Sequence, residues 1–281
     1  MQFPDINNDF NSYQRMIEYY HDKKELFFET LDIKLAGWFS ANSCSMLGAI
    51  LSKLQDNLNV IHVDAGNARN ILERNGFLSF FGHEKTVDIN NTTISYQHLS
   101  PEDDRYFNNY VMNEFLNKPD LPDMTKTLKR KLAESIYEIF INAKMHSGSD
   151  KIFTCGQFFP KRNEIEFMIT DIGIGIREVV NRRFNTNLSS VQAIKWAITE
   201  GHTTKQGVSG GIGFSILGEF IEKNRGKIQI ISNDGFWESS VSQVSTKFFK
   251  HEFPGTVVNI SVRTDDDAHY SLVDEPIGEI F

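Results

Sequence analysis

The stretch ESIYEIFINAKMHSG, residues 134–148, decides how the chain is read. Glu134, Glu138, Asn142 and His146 recur at every fourth position, and residues four apart stack along one side of an α-helix. Ile136, Ile139, Phe140 and Ala143 fill the other ridges. The spacing predicts a helix that buries an apolar side and presents an acid, an acid, an amide and an imidazole in register. Such a ridge is either a solvated face or part of a site.

The residues downstream supply chemistry for a site. KIFTCGQFF and EIEFMITD read as two strands, and the second runs into DIGIGI. Asp171 ends that apolar strand and is followed by Gly173 and Gly175, which sets a carboxylate beside backbone that a ligand can approach closely. An acceptor fixed there can take a hydrogen bond from an exocyclic amine such as that of adenine. Residues 177–209 show no strand pattern and one helix-like piece, SSVQAIKWAITEG; connections of this length are usually functional or mobile. Gly210, Gly211 and Gly213 then open a helix that closes at Gly226, with Lys205 just ahead. Free N–H groups and the positive dipole at a helix start favour phosphate. KIQIISNDG, a variable hairpin region and the strand TVVNISV follow, with Thr256 placed after Pro254 and Gly255. Magnesium takes oxygen ligands, few of them from protein, and the Asn142 amide can supply one. Glu138, one turn away, is placed to polarise a water.

Each feature also has a plain structural reading. A DxGxG is often only a turn, and GGIG is often a tight strand-to-helix connection. His146 can satisfy the carboxyl end of its helix, Glu134 can be a solvated acid, and Lys205 can be an ordinary exposed lysine.

Upstream, FFETLDIKLAGWF and LNVIHVDAG read as β-rich stretches on either side of ANSCSMLGAILSKLQDNL. Met46, Leu47, Ile50, Leu51 and Leu54 follow helical spacing, which makes a β-α-β unit after a polar leader. NARNILERNGFLSFFG predicts a short helix ending at Asn75-Gly76, and KTVDINNTTISYQHL predicts two strands around Asn90-Asn91. PEDDRYFNNYVMNEFL begins with proline and acids, as helices do, and stops before a proline-bearing link. The expected organisation is an α/β module over residues 1–100, a connecting helix and linker over 101–123, a second module over 124–265 and a loosely held acidic tail over 266–281.

Bulk composition narrows the function classes. With 281 residues, 40% hydrophobic and 23% charged, the chain has room for one large or two modest domains. A net charge of -8 argues against a nucleic-acid binder, which needs a basic surface to release counterions. Cys44 and Cys155 lie far apart with no CxxC, as expected of buried thiols. No run of about 18 apolar residues predicts a membrane span, and the amino-terminal MQFPDINNDFNSYQ lacks the pattern of a signal peptide. The cytoplasm is the expected compartment.

The order of the downstream pieces resembles the GHKL superfamily of gyrase, heat-shock chaperone, histidine kinase and mismatch-repair ATPases, whose nucleotide fold is the Bergerat fold. EIFINAKMH is similar to its N box, DIGIGI to its first glycine box, GHTTKQGVSGGIGFSIL to its lid end and second glycine box, and PGTVVNISV to the strand whose threonine joins the aspartate at adenine. The resemblance implies an α/β sandwich over residues 124–265, a mixed sheet with helices on one face. It implies ATP and Mg2+ as cofactors, Glu138 as general base and Asn142 as magnesium ligand. Asp171 and Thr256 would sit at adenine and Gly173, Gly175 and Ile176 along the nucleotide. Thr204, Lys205, Gly210, Gly211, Ile212 and Gly213 would lie near the phosphates, with residues 177–209 as the ATP lid. It further implies a protein partner and a homodimer.

The first hundred residues are similar to a STAS-like module, the anti-sigma-antagonist type of α/β domain that partners small GHKL serine kinases. Where that family carries a phosphoaccepting serine or threonine, VIHVDAGNAR offers Gly66, Asn67 and Ala68. The expected function is a nucleotide-controlled regulatory switch with magnesium-dependent ATP hydrolysis, in which lid ordering is coupled to the STAS-like module or a partner. The alternatives are an anti-sigma-type serine/threonine protein kinase and a non-catalytic nucleotide-binding or interaction module.

Overall fold

Helix α2 (Cys44–Gln55) shows how the chain is layered. Met46, Leu47, Ile50, Leu51 and Leu54 are fully buried, and so are Cys44, Ser45 and Ala49 between them. A helix enclosed on all sides lies inside a fold rather than on its surface. In the computed structural model, which describes residues 2–199, 212–241, 243–272 and 275, α2 lies between two sheets. On one side is a parallel sheet of β1 (Gln2–Phe3), β2 (Thr30–Leu35) and β3 (Val60–Asp64), in that order. On the other is a five-stranded sheet ordered β4 (Thr93–Leu99), β5 (Ile152–Phe159), β6 (Glu164–Ile172), β8 (Gln243–Arg263) and β7 (Lys227–Ser240). The Ser45 hydroxyl reaches that second sheet, lying 2.8 Å from both the Phe153 carbonyl and the Thr170 hydroxyl.

The β-α-β unit read from the sequence is present as β2-α2-β3, and the short helix α3 (Arg69–Arg74) ends at Asn75 with Gly76 left-handed. The leader is structured: β1 and α1 (Phe10–Lys23) occupy it, and the Asp9 carboxylate accepts the Ser12 N–H at 2.8 Å to cap α1. Residues 85–92 form no strand. The Asp88 carboxylate instead takes the N–H and hydroxyl of Thr93, each at 2.7 Å, which folds the chain into a turn before β4. β4 pairs with β5, so this strand, expected in the first module, belongs to the second sheet.

The five-stranded sheet is antiparallel at every neighbouring pair, not mixed. One face is covered by α4 (Asp104–Tyr110), α5 (Lys126–Asn142) and α8 (Ile212–Lys223), which bury Ile165, Phe167 and Ile169 of β6. The opposite face, expected to be bare of helices, is covered by α1 and α2. Their core is continuous with Phe153, Met168, Phe236, Phe253 and Val257 of the sheet. A polar seam runs through this contact. Glu166 is wholly buried, and its Oε2 accepts from the amides of Asn42 at 3.2 Å and Asn259 at 2.8 Å while its Oε1 meets the Arg162 guanidinium. The Tyr13 hydroxyl donates to Gln229 Oε1 at 2.8 Å.

The stretch expected to hold one helix holds two within its described part, α6 (Ile176–Phe184) and α7 (Ser190–Ile198). The described part of the acidic tail is tied down rather than loose. The Thr125 N–H donates to the Tyr270 carbonyl and the Tyr270 N–H to the Asp123 carbonyl, both at 2.9 Å. Among the described residues no helix is long and apolar enough to cross a membrane.

Candidate functional site

Helix α5 starts at a cap, the Thr125 hydroxyl accepting the Leu128 N–H at 3.1 Å, and continues as a π-helical turn over Ala143–Ser147. Its buried side carries Leu132, Ile136 and Phe140 against the sheet. Of the polar ridge, Glu134 is exposed and paired with Lys131 at 2.7 Å, the solvated acid of the plain reading. Glu138 is half-buried and Asn142 exposed. Helix α8 packs along α5, which brings its first residues, Ile212 and Gly213, to the same side of the sheet. Thr204, Lys205, Gly210 and Gly211 lie outside the described residues.

The end of α5 meets the end of β6. The Ile174 N–H donates to the Ser147 carbonyl at 2.8 Å, and the Gly173 N–H donates to the Pro254 carbonyl at 3.0 Å. These bonds fold the chain after Asp171 beneath the helix end. A Cβ on Gly173 would lie 2.0 Å from the Ser147 carbonyl oxygen, and one on Gly175 would lie 2.2 Å from Asn233 Oδ1. Both glycines are thus demanded by the protein's own packing, before any ligand is considered.

Asp171 and Thr256 are cross-strand partners of β6 and β8. The Asp171 side chain is buried, and its Oδ1 has no hydrogen-bond partner among the described residues. Burial pushes its pKa from 3.8 up to about 8. The Thr256 N–H opposes this, as does the nearby Ser147 hydroxyl, weakly, because its proton goes to the Ala143 carbonyl 2.6 Å away. A carboxyl held out of water with one oxygen unused is costly to ionise, and a donor brought by a ligand to that oxygen would favour the ionised, accepting form and pull its pKa back down.

Sequence reasoning missed the residues around this pair. Ser232 on β7 stands opposite Thr256, with their hydroxyls 3.1 Å apart, and accepts the Ile176 N–H at 2.8 Å, satisfying a free donor at the start of α6. The neighbouring Asn233 donates to Glu178 Oε2 at 2.7 Å, and its own buried Oδ1 meets no donor among the described residues. Arg177 ties α6 to both strands of the β7-β8 hairpin, reaching Glu252 at 2.9 Å and Asp234 at 3.5 Å. Its burial works against the charge, but the hydrogen bonds it donates to Glu178 and Glu252 hold its pKa above the ordinary arginine value. Ser232 and Asn233 could have been noticed as polar residues ending an apolar strand.

Asp171, Gly173, Gly175, Ile176 and Thr256 therefore form one cluster. Glu138 and Asn142 stand on the helix whose end closes over it, and among the described residues no hydrogen bond links either to Asp171. The oxygen donors of Asn142 and Glu138 suit a hard cation. No group of three or more His, Cys, Asp or Glu could hold a metal among the described residues, so a magnesium ion here would depend on phosphate and water oxygens for most of its shell. The chain matches no protein-family model and no curated protein.

Proposed function

We propose that residues 124–265 form a GHKL-type, Bergerat-fold ATP-binding unit and that the protein is a nucleotide-controlled regulatory switch with magnesium-dependent ATP hydrolysis. The observation that carries the reading is the buried Asp171 carboxyl with its unused Oδ1, set beside Thr256 on the neighbouring strand. An adenine amino group supplies the missing donor. Helices α5 and α8 on one face of the sheet, with glycines opening the second, support the same reading. Asn142 would hold magnesium, which would supply positive charge to neutralise phosphate oxygens. Glu138 would orient and deprotonate the attacking water. The N-terminal module, STAS-like in this reading, shares its core with the sheet, which favours a separate protein partner over undocking of that module as the output.

Steady-state phosphate release and calorimetric ATP titration test the assignment. Glu138→Ala keeps ATP binding and loses turnover, whereas Asn142→Ala loses the magnesium-dependent part of binding. Unchanged hydrolysis in both variants refutes it. Label from ATP appearing on protein instead of as free phosphate transfers the same residues to a serine/threonine kinase.

A further inference from the structure

Away from the Asp171 cluster, a cavity of about 500 Å³ opens beside edge strand β4. The end of α3 and the 85–91 loop form one wall, and residues 113–119 form the other. Its size is that of a small-molecule site. Lys118 lines it and is only 7% exposed. Its ammonium donates to the Asn91 carbonyl at 2.6 Å and to Asn91 Oδ1 at 2.7 Å, both neutral oxygens. No carboxylate is ion-paired with it among the described residues; Asp88, Asp120 and Glu114 act on it from farther away. Buried charges are ordinarily paired, so this one is held in place and left without a counterion.

The two acids lining the same cavity have other work. Asp88 takes the Thr93 N–H and hydroxyl and the Arg74 guanidinium, the last at 3.3 Å. Glu114 accepts the Ser95 N–H at 2.8 Å. Lys85 adds an exposed ammonium 3.4 Å from the Ser95 hydroxyl, again with no acid ion-paired to it among the described residues. Asn113 and Glu114 come from the π-helical segment Val111–Leu116, and π-turns set within helices recur at functional sites.

We infer that this cavity binds a small organic anion with a carboxylate or phosphate head, placed against Lys118 and Lys85, its polar remainder meeting the amides of Asn113 and Asn117. The site is independent of the nucleotide reading. Calorimetric titration of the full chain with succinate and with inorganic phosphate, glycerol serving as neutral control, tests it. The expected result is saturable binding of at least one anion and none of glycerol, and the tighter anion identifies the head group. Lys118→Met weakens that binding about tenfold to a hundredfold, the loss of one charge-assisted hydrogen bond. Lys85→Met, on the exposed loop, weakens it less and reads the same site should Lys118→Met not fold. Lys53→Met, an exposed lysine paired with Asp56 outside the cavity lining, leaves it unchanged. Binding that is equal in wild type and both cavity variants, or absent for both anions, overturns the inference.

Discussion

Replacing Asp171 by asparagine tests the buried carboxyl directly. The side chain is 5% exposed, and burial raises its pKa from 3.8 to about 8 against the pull of the Thr256 N–H. In the unfolded chain the same group ionises near its ordinary value of about 4. Between those limits the folded protein keeps a proton that the unfolded chain has released, so stability falls as pH rises through the window. Below about pH 4 both states are protonated and the site costs nothing; above about pH 8 both are ionised and the full cost is present. At about 1.4 kcal/mol for each tenfold in proton affinity, that cost is about 5 kcal/mol, an upper figure because buried sites relax around a charge. Asparagine copies the neutral acid in shape, still accepts the Thr256 N–H and carries no charge. Urea unfolding of both proteins from pH 5 to pH 8 is the assay, and subtracting one from the other cancels every other titrating group. The stability gap in favour of Asp171→Asn widens by about 3–4 kcal/mol over that range. A gap that stays constant within about 0.5 kcal/mol refutes the assignment of a buried, high-pKa carboxyl at this position.

Two further substitutions probe the packing that holds the site. Gly173→Ala forces a methyl to within 2.0 Å of the Ser147 carbonyl and destabilises the fold by about 1–3 kcal/mol; a melting temperature equal to wild type contradicts the close approach of the α5 end to the Asp171 turn. Leu47→Ala, in the fully buried α2, costs about 2–5 kcal/mol. Far-UV circular dichroism and tryptophan fluorescence lose signal together in that variant, because Phe39 and Phe236, the sequence neighbours of Trp38 and Trp237, belong to one continuous core. Two separated transitions contradict the shared core.

Local periodicity in the sequence carried the elements well and their partners poorly. The helical spacing of Met46 to Leu54 and the apolar run of β6 were legible because each depends on residues a few positions apart. The partner of β4 was not, since TTISYQHL announces a strand without saying which sheet receives it. β6 shows the same limit at single residues: Glu164 and Glu166 alternate with Ile165 and Phe167, the pattern of a strand with one wet face. Glu166 is nevertheless fully buried, because a layer built from the first 55 residues covers that face. At the candidate site, Asp171 and Thr256 each announced a turn or a strand end, but their registration across β6 and β8 is a long-range fact that the residues reached only through resemblance to a family. Ser232 and Asn233 stayed hidden because polar residues before a glycine read as the start of a loop.

The shared core limits what a nucleotide could move. Lifting the N-terminal layer off the five-stranded sheet would expose Phe153, Met168, Phe236 and Phe253 on the sheet side alone. At about 1.5–3 kcal/mol for each such side chain, that is about 6–12 kcal/mol. It would also break the hydrogen bond from the Asn42 amide to Glu166. Moving a two-state equilibrium from one extreme to the other takes a differential affinity of about 5.5 kcal/mol, less than this separation costs. Under the proposed reading, a nucleotide-driven change would therefore act on the elements that border the site from the helical side. Helix α6 is the best placed of these: it begins one residue after Gly175, its first N–H is held by Ser232, and Arg177 pins it to Asp234 and Glu252 through side chains with solvent on one flank. Those polar ties cost far less to exchange than the apolar seam, so the surface that a protein partner would read is the α6-α7 side, with the N-terminal module serving as its fixed support.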